Sequence, residues 1–256
     1  MCNVIQRCEC FNIGGEKLGS QEGIKRLFFE LASESRLDIL TELEEKNWKM
    51  NDLARKLNLT TTETFRQLQR LNEAVLIQKQ PEGTYAITEY GRLILEISSP
   101  FDFLLKNKDY FLTHDVKLLP HQFVMRLGEL SQSQLITGMV ESTTKISQMI
   151  GEAKQYMWGI SPEPLMQSFD AIAKEIPKDA QYRILSPQPP KKLLNLENRT
   201  LCDTPLIMAL TENQAAVCFR LIGGKVDYAS FFGKDQALHT WAKDLFLYYW
   251  DKAKRA

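Results

Sequence analysis

Arg66 and Arg70, four residues apart with Gln67 beside them, are the side chains best suited to specific chemistry with a partner. A guanidinium presents a planar fork of donors that fits the acceptor pair of a guanine edge or two phosphate oxygens, and a glutamine amide pairs with adenine in the same way. On a helix, a spacing of four puts both arginines on one face. Thr61 and Thr62 come just before them, at the expected start of that helix, where hydroxyls and unpaired backbone amides together favour phosphate. Lys79 and Gln80 precede the turn signal Pro81-Glu82-Gly83 and are placed to touch a sugar–phosphate backbone or a minor groove. The candidate DNA contacts are therefore Thr61, Thr62, Arg66, Gln67, Arg70, Lys79 and Gln80. The competing reading is a solvated helix face followed by an exposed hairpin.

The elements that must position these residues are legible around them. Thr60 and Glu63 form a capping box, so a helix is expected over Thr61–Glu73, with Phe65, Leu68, Leu71 and Val75 facing a core and Arg66 and Arg70 facing out. Upstream, Met50 to Leu59 supplies a shorter helix, capped by Asn51, with Leu53, Ala54 and Leu57 inward. A three- to four-residue turn then completes a helix-turn-helix. Ser35 is placed to cap a supporting helix carrying Leu37, Leu40 and Leu43. Leu76 to Lys79 and Thr84 to Thr88 alternate as strands around the turn, giving a hairpin wing, and Arg92 to Ile97 reads as a helix after it. The order helix, helix, reading helix, wing, helix is that of a winged helix. These residues resemble the ArsR-type winged-helix regulators of archaea and bacteria over roughly the first hundred positions. Val75 stands where that family commonly has glycine, and Met50 to Glu73 lacks the cysteine pair of its metal sensors.

Formal charge is balanced, 32 Lys and Arg against 32 Asp and Glu, which excludes a histone-like polycation. Between Lys46 and Lys79 the balance is locally basic, as phosphate contact requires. Five cysteines, no secretory signal and no long apolar run lead to the expectation of a reducing cytoplasm and no membrane span. Cys2, Cys8 and Cys10 cluster ahead of Gly14-Gly15, which offers a metal or redox alternative to a flexible tail, but they match no zinc spacing; Cys202 and Cys218 sit in or beside apolar runs as small hydrophobes. No metal, cofactor or catalytic residue is expected. His114-Asp115 and His121 offer an acid–base or metal alternative, set against a reading in which Asp115 caps and His114 bonds backbone.

After Ser98-Ser99-Pro100 the grammar changes, and the chain divides into a flexible tail (1–20), the winged helix-turn-helix (21–98) and a C-terminal α/β domain (99–256). Lys117 to Leu130 and Ser131 to Ala153 read as helices. Tyr156 to Ile160, a helix over Glu163 to Ile176, and Tyr182 to Leu185 make a β-α-β unit. An extended loop over Ser186 to Lys192 follows, then strands at Leu206 to Leu210, Ala215 to Leu221 and Tyr228 to Phe232. A long helix from Asp235 to Lys254 presents Leu238, Trp241, Leu245, Tyr248 and Tyr249 as core or dimer seam. The fold class is α+β, with β-α-β, β-hairpins and a long terminal helix in the second half.

Pro100 to Leu104, His114-Asp115, Leu119-Pro120, Arg126 to Leu130, Gly159 to Ser161, Tyr182 to Leu185, Asp235 and Trp241 to Tyr249 resemble the archaeal regulators whose C-terminal half is named the methanogenesis regulatory protein middle domain. The resemblance implies an archaeal transcription regulator that binds double-stranded DNA and whose second domain senses or dimerises. A homodimer and a small-molecule effector in the C-terminal domain are the expected partners. Trp158, Tyr182, Phe219, Tyr228, Phe231 and Phe232 are candidates to line an apolar pocket there, or to be core. The alternatives are a winged helix used for protein contact, or a C-terminal phosphodiesterase-like activity. The latter lacks the H-x-K pattern, because Val116, Phe123 and Trp241 stand two residues after the three histidines.

Overall fold

The computed structural model describes residues 21–162, 180–187 and 196–255. The expected tail with Cys2, Cys8 and Cys10, the helix over Glu163 to Ile176, and most of the loop after Ser186 lie outside those residues. The chain forms two compact units, Met1–Ile97 and Ser98–Ala256.

The first unit is a winged helix. Helices α1 (Gln21–Leu31), α2 (Glu34–Glu45), α3 (Met50–Lys56) and α4 (Thr61–Glu73) surround a small core, closed by a three-stranded antiparallel sheet. In that sheet β3 (Thr84–Ile87) lies between β1 (Trp48–Lys49) and β2 (Ile77–Lys79). Ile39, Leu40, Leu43, Leu53, Leu68, Leu71, Leu76 and Ile77 are wholly or almost wholly buried and pack as one cluster. Helix α4 starts where the capping box places it, the Thr60 hydroxyl accepting from the Glu63 amide at 3.1 Å. Its end is a Schellman motif: the Leu76 amide donates to Leu71 O and the Val75 amide to Asn72 O, both at 3.0 Å. Val75 takes the left-handed position of that motif with φ +62°, so a β-branched residue occupies a conformation suited to glycine.

Several expectations are corrected. Phe65 and Val75 are exposed, and the position expected of Phe65 is filled by the buried Thr64, whose hydroxyl returns to the Thr60 carbonyl at 2.9 Å. Leu68 and Leu71 face the core as expected, but the residue that joins them from the preceding turn is 64, about a third of a turn around the helix from 65. On α2 the inward set is Arg36, Ile39, Leu40 and Leu43, with Leu37 exposed, and the residue at the N-cap is Ser33 rather than Ser35. Lys49, not Asn51, precedes α3. Helix α1 and strand β1 were not expected: α1 precedes the elements read as the winged helix, and β1 is two residues long. After the wing, α5 (Glu89–Lys106) begins earlier and runs far beyond Ile97, through Ser98-Ser99-Pro100, although Pro100 has no N–H to donate to the carbonyl four residues back.

The second unit is a nine-stranded mixed sheet among the described residues. The order is β12 (Lys254–Arg255), β8 (Leu196–Thr200), β7 (Gln181–Ser186), β6 (Tyr156–Ile160), β9 (Leu206–Thr211), β10 (Ala215–Leu221), β11 (Ser230–Gly233), β5 (Gln134–Ile136). Strand β4 (His114–Asp115) pairs with the end of β10. Strands β6, β7 and β8 run parallel, Trp158 lying opposite Arg183 and Arg183 opposite Glu197, while β9 joins β6 antiparallel. Helix α9 (Gln236–Lys252), capped by Asp235, buries Leu238, Trp241, Ala242, Leu245, Phe246 and Trp250 in the largest core cluster. That face is core; Tyr248 and Tyr249 lie at its half-buried margin. Helix α8 (Met139–Gly151) contributes Met149 and Ile150 to separate clusters with Met157, Tyr182, Ile184 and Phe232.

The expected helices over Lys117 to Leu130 and Ser131 to Ala153 are shorter and interrupted. After the one-turn α6 (Lys108–Phe111), helix α7 spans only His121–Val124, a 3-10 turn follows at Leu127–Leu130, and Gln134–Ile136 is the edge strand β5. Pairing of Leu135 with Phe231 in that edge outweighs helical spacing over three residues, and Gly138 then starts α8. Strand β8, with sequence LENRT, was missed because its residues are polar.

Candidate nucleic-acid interface

Around α4 a helical wheel puts Thr62, Arg66, Gln69 and Glu73 furthest from the core formed by Thr64, Leu68 and Leu71. Arg66 is exposed and makes no hydrogen bond or ion pair among the described residues, and Thr61 and Thr62 are exposed beside it. Gln69 donates to Glu73 at 3.0 Å across one turn.

Arg70 and Gln67 lie on the flank toward α1 and α2 and are engaged there. Arg70 grips the Glu30 carboxylate with two bonds, Nε to Oε2 at 3.1 Å and Nη2 to Oε1 at 2.7 Å, and its guanidinium lies 5.0 Å from the Phe29 ring centroid. The bonds it donates to Glu30 hold Arg70 above its ordinary range. Glu30 is buried and also meets Arg36 Nε at 3.2 Å. Arg36, itself buried, closes the end of α1: Nε donates to Glu30 O at 2.7 Å and Nη2 to Phe29 O at 2.8 Å, while Nη1 donates to Gln67 Oε1 at 2.9 Å. A guanidinium at a helix C-terminus both satisfies orphan carbonyls and opposes the negative end of the dipole. Burial pulls Arg36 down from its ordinary range. Arg66 and Arg70, expected to act as a pair, thus differ: one is unengaged and the other belongs to a buried network fixing α1 to the reading helix. Helix α1 is the element that sequence reasoning missed, although Ile24, Leu27, Phe28 and Leu31 stand at helical spacing and were a signal for it.

The wing is held to the end of α4 through one residue. The Thr88 amide donates to Leu76 O at 3.0 Å, the Thr88 hydroxyl donates to Val75 O at 2.8 Å and lies 3.1 Å from Leu76 O, and the hydroxyl accepts from the Gly91 amide at 2.9 Å. Gly91 is required by close approach, because a Cβ there falls 2.2 Å from Leu76 O. At the wing tip the Gln80 amide donates to Thr84 O at 2.7 Å and Gly83 takes φ +85°. Lys79 is exposed, its ammonium 6.0 Å from the Tyr85 ring centroid, and Gln80 is half-buried. Between wing and reading helix lies a cleft of about 310 Å³ lined by Lys49, Met50, Asn51, Phe65, Lys79, Glu82, Gly83 and Tyr85.

In the second unit the aromatic residues proposed for a pocket belong to separate clusters. Trp158, Phe219 and Phe231 are in the α9 core, Tyr182 and Phe232 are on the α8 side, and Tyr228 is half-buried with φ +63°. His114 is buried, stacked on Tyr110 at 3.6 Å between ring centroids, with Nδ1 2.8 Å from Tyr110 O and Nε2 3.2 Å from Asp227 Oδ1. Asp115 accepts from the Lys117 amide at 2.7 Å, which makes a turn rather than a helix cap. His121 lies on the surface and joins neither group. Among the described residues no three His, Cys, Asp or Glu side chains converge as a metal site, and no helix is long and apolar enough to cross a membrane. Cys218 is buried and Cys202 is exposed, so only the former behaves as the expected small hydrophobe.

No protein-family model matches the chain. Over 137 residues, 52% of this chain, it is 25% identical to the methanogenesis regulatory protein FilR1 of Methanothrix harundinacea (strain 6Ac), and the match spans 30% of that protein's length. The archaeal chromatin protein TrmBL2, whose structure is described as showing a novel mode of DNA binding, aligns over 93% of this chain and 100% of its own at 16% identity, with a TM-score of 0.37. The dimethyltransferase RosA of Streptomyces davawensis aligns over 71% of this chain and 65% of its own at 13% identity, with a TM-score of 0.29. Scores of this size establish no shared architecture.

Proposed function

We propose that this chain is a sequence-specific DNA-binding transcription regulator of the ArsR-type arrangement, a cytoplasmic homodimer whose α4 enters the major groove and whose wing tracks the adjacent backbone. The observation that carries the reading is the exposed, unengaged set Thr61, Thr62 and Arg66 on a reading helix held rigidly by Arg36, Glu30 and Arg70. Rigid presentation matters because bidentate base contacts tolerate little misplacement. Arg66 is the base-reading side chain. Thr61 and Thr62 contact phosphate at the helix start, and Lys79 and Gln80 contact it from the wing. Arg70 retains Nη1 for a phosphate, and Gln67 retains its amide nitrogen, so both act at the edge of the interface. The sequence similarity to a protein named as a methanogenesis regulator points the same way.

Dimerisation has support in α5, which exposes Tyr90, Leu93 and Ile97 at helical spacing, an apolar strip that a second copy covers. The second unit, 99–256, is assigned the sensor role, with a small-molecule effector rather than a catalytic step.

The test is selection of bound duplexes from a random pool by the full chain, followed by titration at two salt concentrations. A palindromic site with a steep salt slope is expected, and Arg66→Ala should weaken specific binding by about 1–3 kcal/mol. No enriched sequence, or unchanged affinity and preference in Arg66→Ala, overturns the reading in favour of protein contact.

A further inference from the structure

We infer that Phe65 is a base-reading residue that recognises the 5-methyl group of thymine, and this rests on the DNA-binding reading given above. Phe65 is 52% exposed on a helix whose other large apolar residues are wholly buried. Thr64 fills the core position that sequence periodicity gives to Phe65, so the ring is not needed for packing. A half-exposed phenyl ring beside the reading face offers apolar surface to whatever docks there.

Its surroundings define what that is. The ring borders the cleft of about 310 Å³ between α4 and the wing, with Lys49 and Lys79 on the rim. The one carboxylate in the lining, Glu82, accepts a hydrogen bond from the Thr84 hydroxyl at 2.8 Å. Arg66 follows on the helix, and Thr61 lies one turn before Phe65. An apolar ring in a cleft with two ammonium groups, next in sequence to an exposed guanidinium, complements a polyanion that carries an apolar group beside its charges. In the major groove of duplex DNA the thymine 5-methyl is that group, and a phenylalanine reads it by contact. An acidic protein surface shares the charge but offers no fixed methyl between regularly spaced phosphates. The geometry points to thymine next to the base that Arg66 reads, with Lys49 and Lys79 on the flanking phosphates.

The test uses the full chain and the duplex found by selection, with each thymine replaced in turn by uracil, which removes only the methyl. At one or two positions in each half-site the substitution should weaken binding by about three- to fivefold, the value of one buried methyl. Phe65→Ala should bind the thymine duplex more weakly by a similar factor and no longer distinguish thymine from uracil there, with circular dichroism and melting unchanged. As a check that needs no variant, 5-iodouracil at the sensitive position should photo-crosslink to Phe65 in the wild type. Specific binding that ignores every thymine-to-uracil change, or crosslinks that form only elsewhere, overturns this inference while leaving the DNA-binding reading intact. Binding to no duplex overturns that reading, and the inference falls with it.

Discussion

Gly91→Ala isolates the joint between reading helix and wing, because two physical effects there have opposite signs. Gly91 is the third residue of α5, and by helix propensity alone alanine should stabilise that turn by about 1 kcal/mol. The added Cβ, however, falls 2.2 Å from Leu76 O and 2.8 Å from Ile87 Cγ1, so the first gap has to open by about 1.2 Å to reach ordinary contact at 3.4 Å. The obstructing atom is a backbone oxygen at the end of the Schellman motif, accepting from the Thr88 amide at 3.0 Å. Moving it forfeits that bond and strains the Thr88 hydroxyl contacts to Val75 and Gly91 at 2.8 and 2.9 Å, roughly 1 kcal/mol each. Overpacking adds about 1–3 kcal/mol. Set against the propensity gain, the net is a loss of about 3–5 kcal/mol, enough to lower the melting midpoint of the first unit by roughly 12–40 °C. Hydrogen exchange followed by mass spectrometry reads each unit separately in the full chain, and peptides over 61–95 should lose protection while those over 206–250 keep it. A first unit as stable as the wild type, or more so, would mean that the close approach does not govern this position.

Three further outcomes follow from the same structure. Thr60→Ala removes the cap on the Glu63 amide and should cost about 1 kcal/mol, measured by urea denaturation, whereas Thr60→Ser should restore most of it. Val75→Gly relieves a left-handed φ of +62° at an exposed β-branched residue and should raise stability by roughly 0.5–1 kcal/mol after the entropy of glycine in the unfolded chain is subtracted; a fall would assign the side chain a packing role. Burial pushes the Cys218 thiol up to about 12, from an ordinary value of 9.0, so the stability associated with keeping it protonated is present below pH 9 and is lost as pH rises toward 12. With Cys2, Cys8 and Cys10 replaced by serine, a thiol reagent at pH 8 should therefore label Cys202 promptly and Cys218 only on unfolding.

The reading helix, the wing and the central strands β6, β7, β9 and β10 were legible because each has a local signature: a capping box, a turn between alternating runs, continuous apolar strands. What escaped was decided by contacts distant in sequence. Whether residue 64 or 65 faces the core depends on the neighbours that α2 and α3 supply, and no local pattern distinguishes a threonine from a phenylalanine there. Glu30, Arg36 and Arg70 look like ordinary surface charges in a linear sequence; their bonds span 40 positions between Glu30 and Arg70. Polar β8 becomes a strand because β7 offers it an edge. Helix α5 continues past Ser98-Ser99-Pro100, where a break was expected, as Phe103 is drawn into the second unit's core.

The division of α4 into tethered and unengaged positions bears on how such a protein acquires a new target. A change at Gln67 or Arg70 has to be matched by a compensating change on α1 or α2, so these sites are locked to the scaffold. Thr62, Phe65 and Arg66 make no such demand on other helices. Recognition can thus drift by single substitutions at those three sites while the domain beneath them stays folded, and a library randomised there alone samples new operators without sampling misfolded proteins.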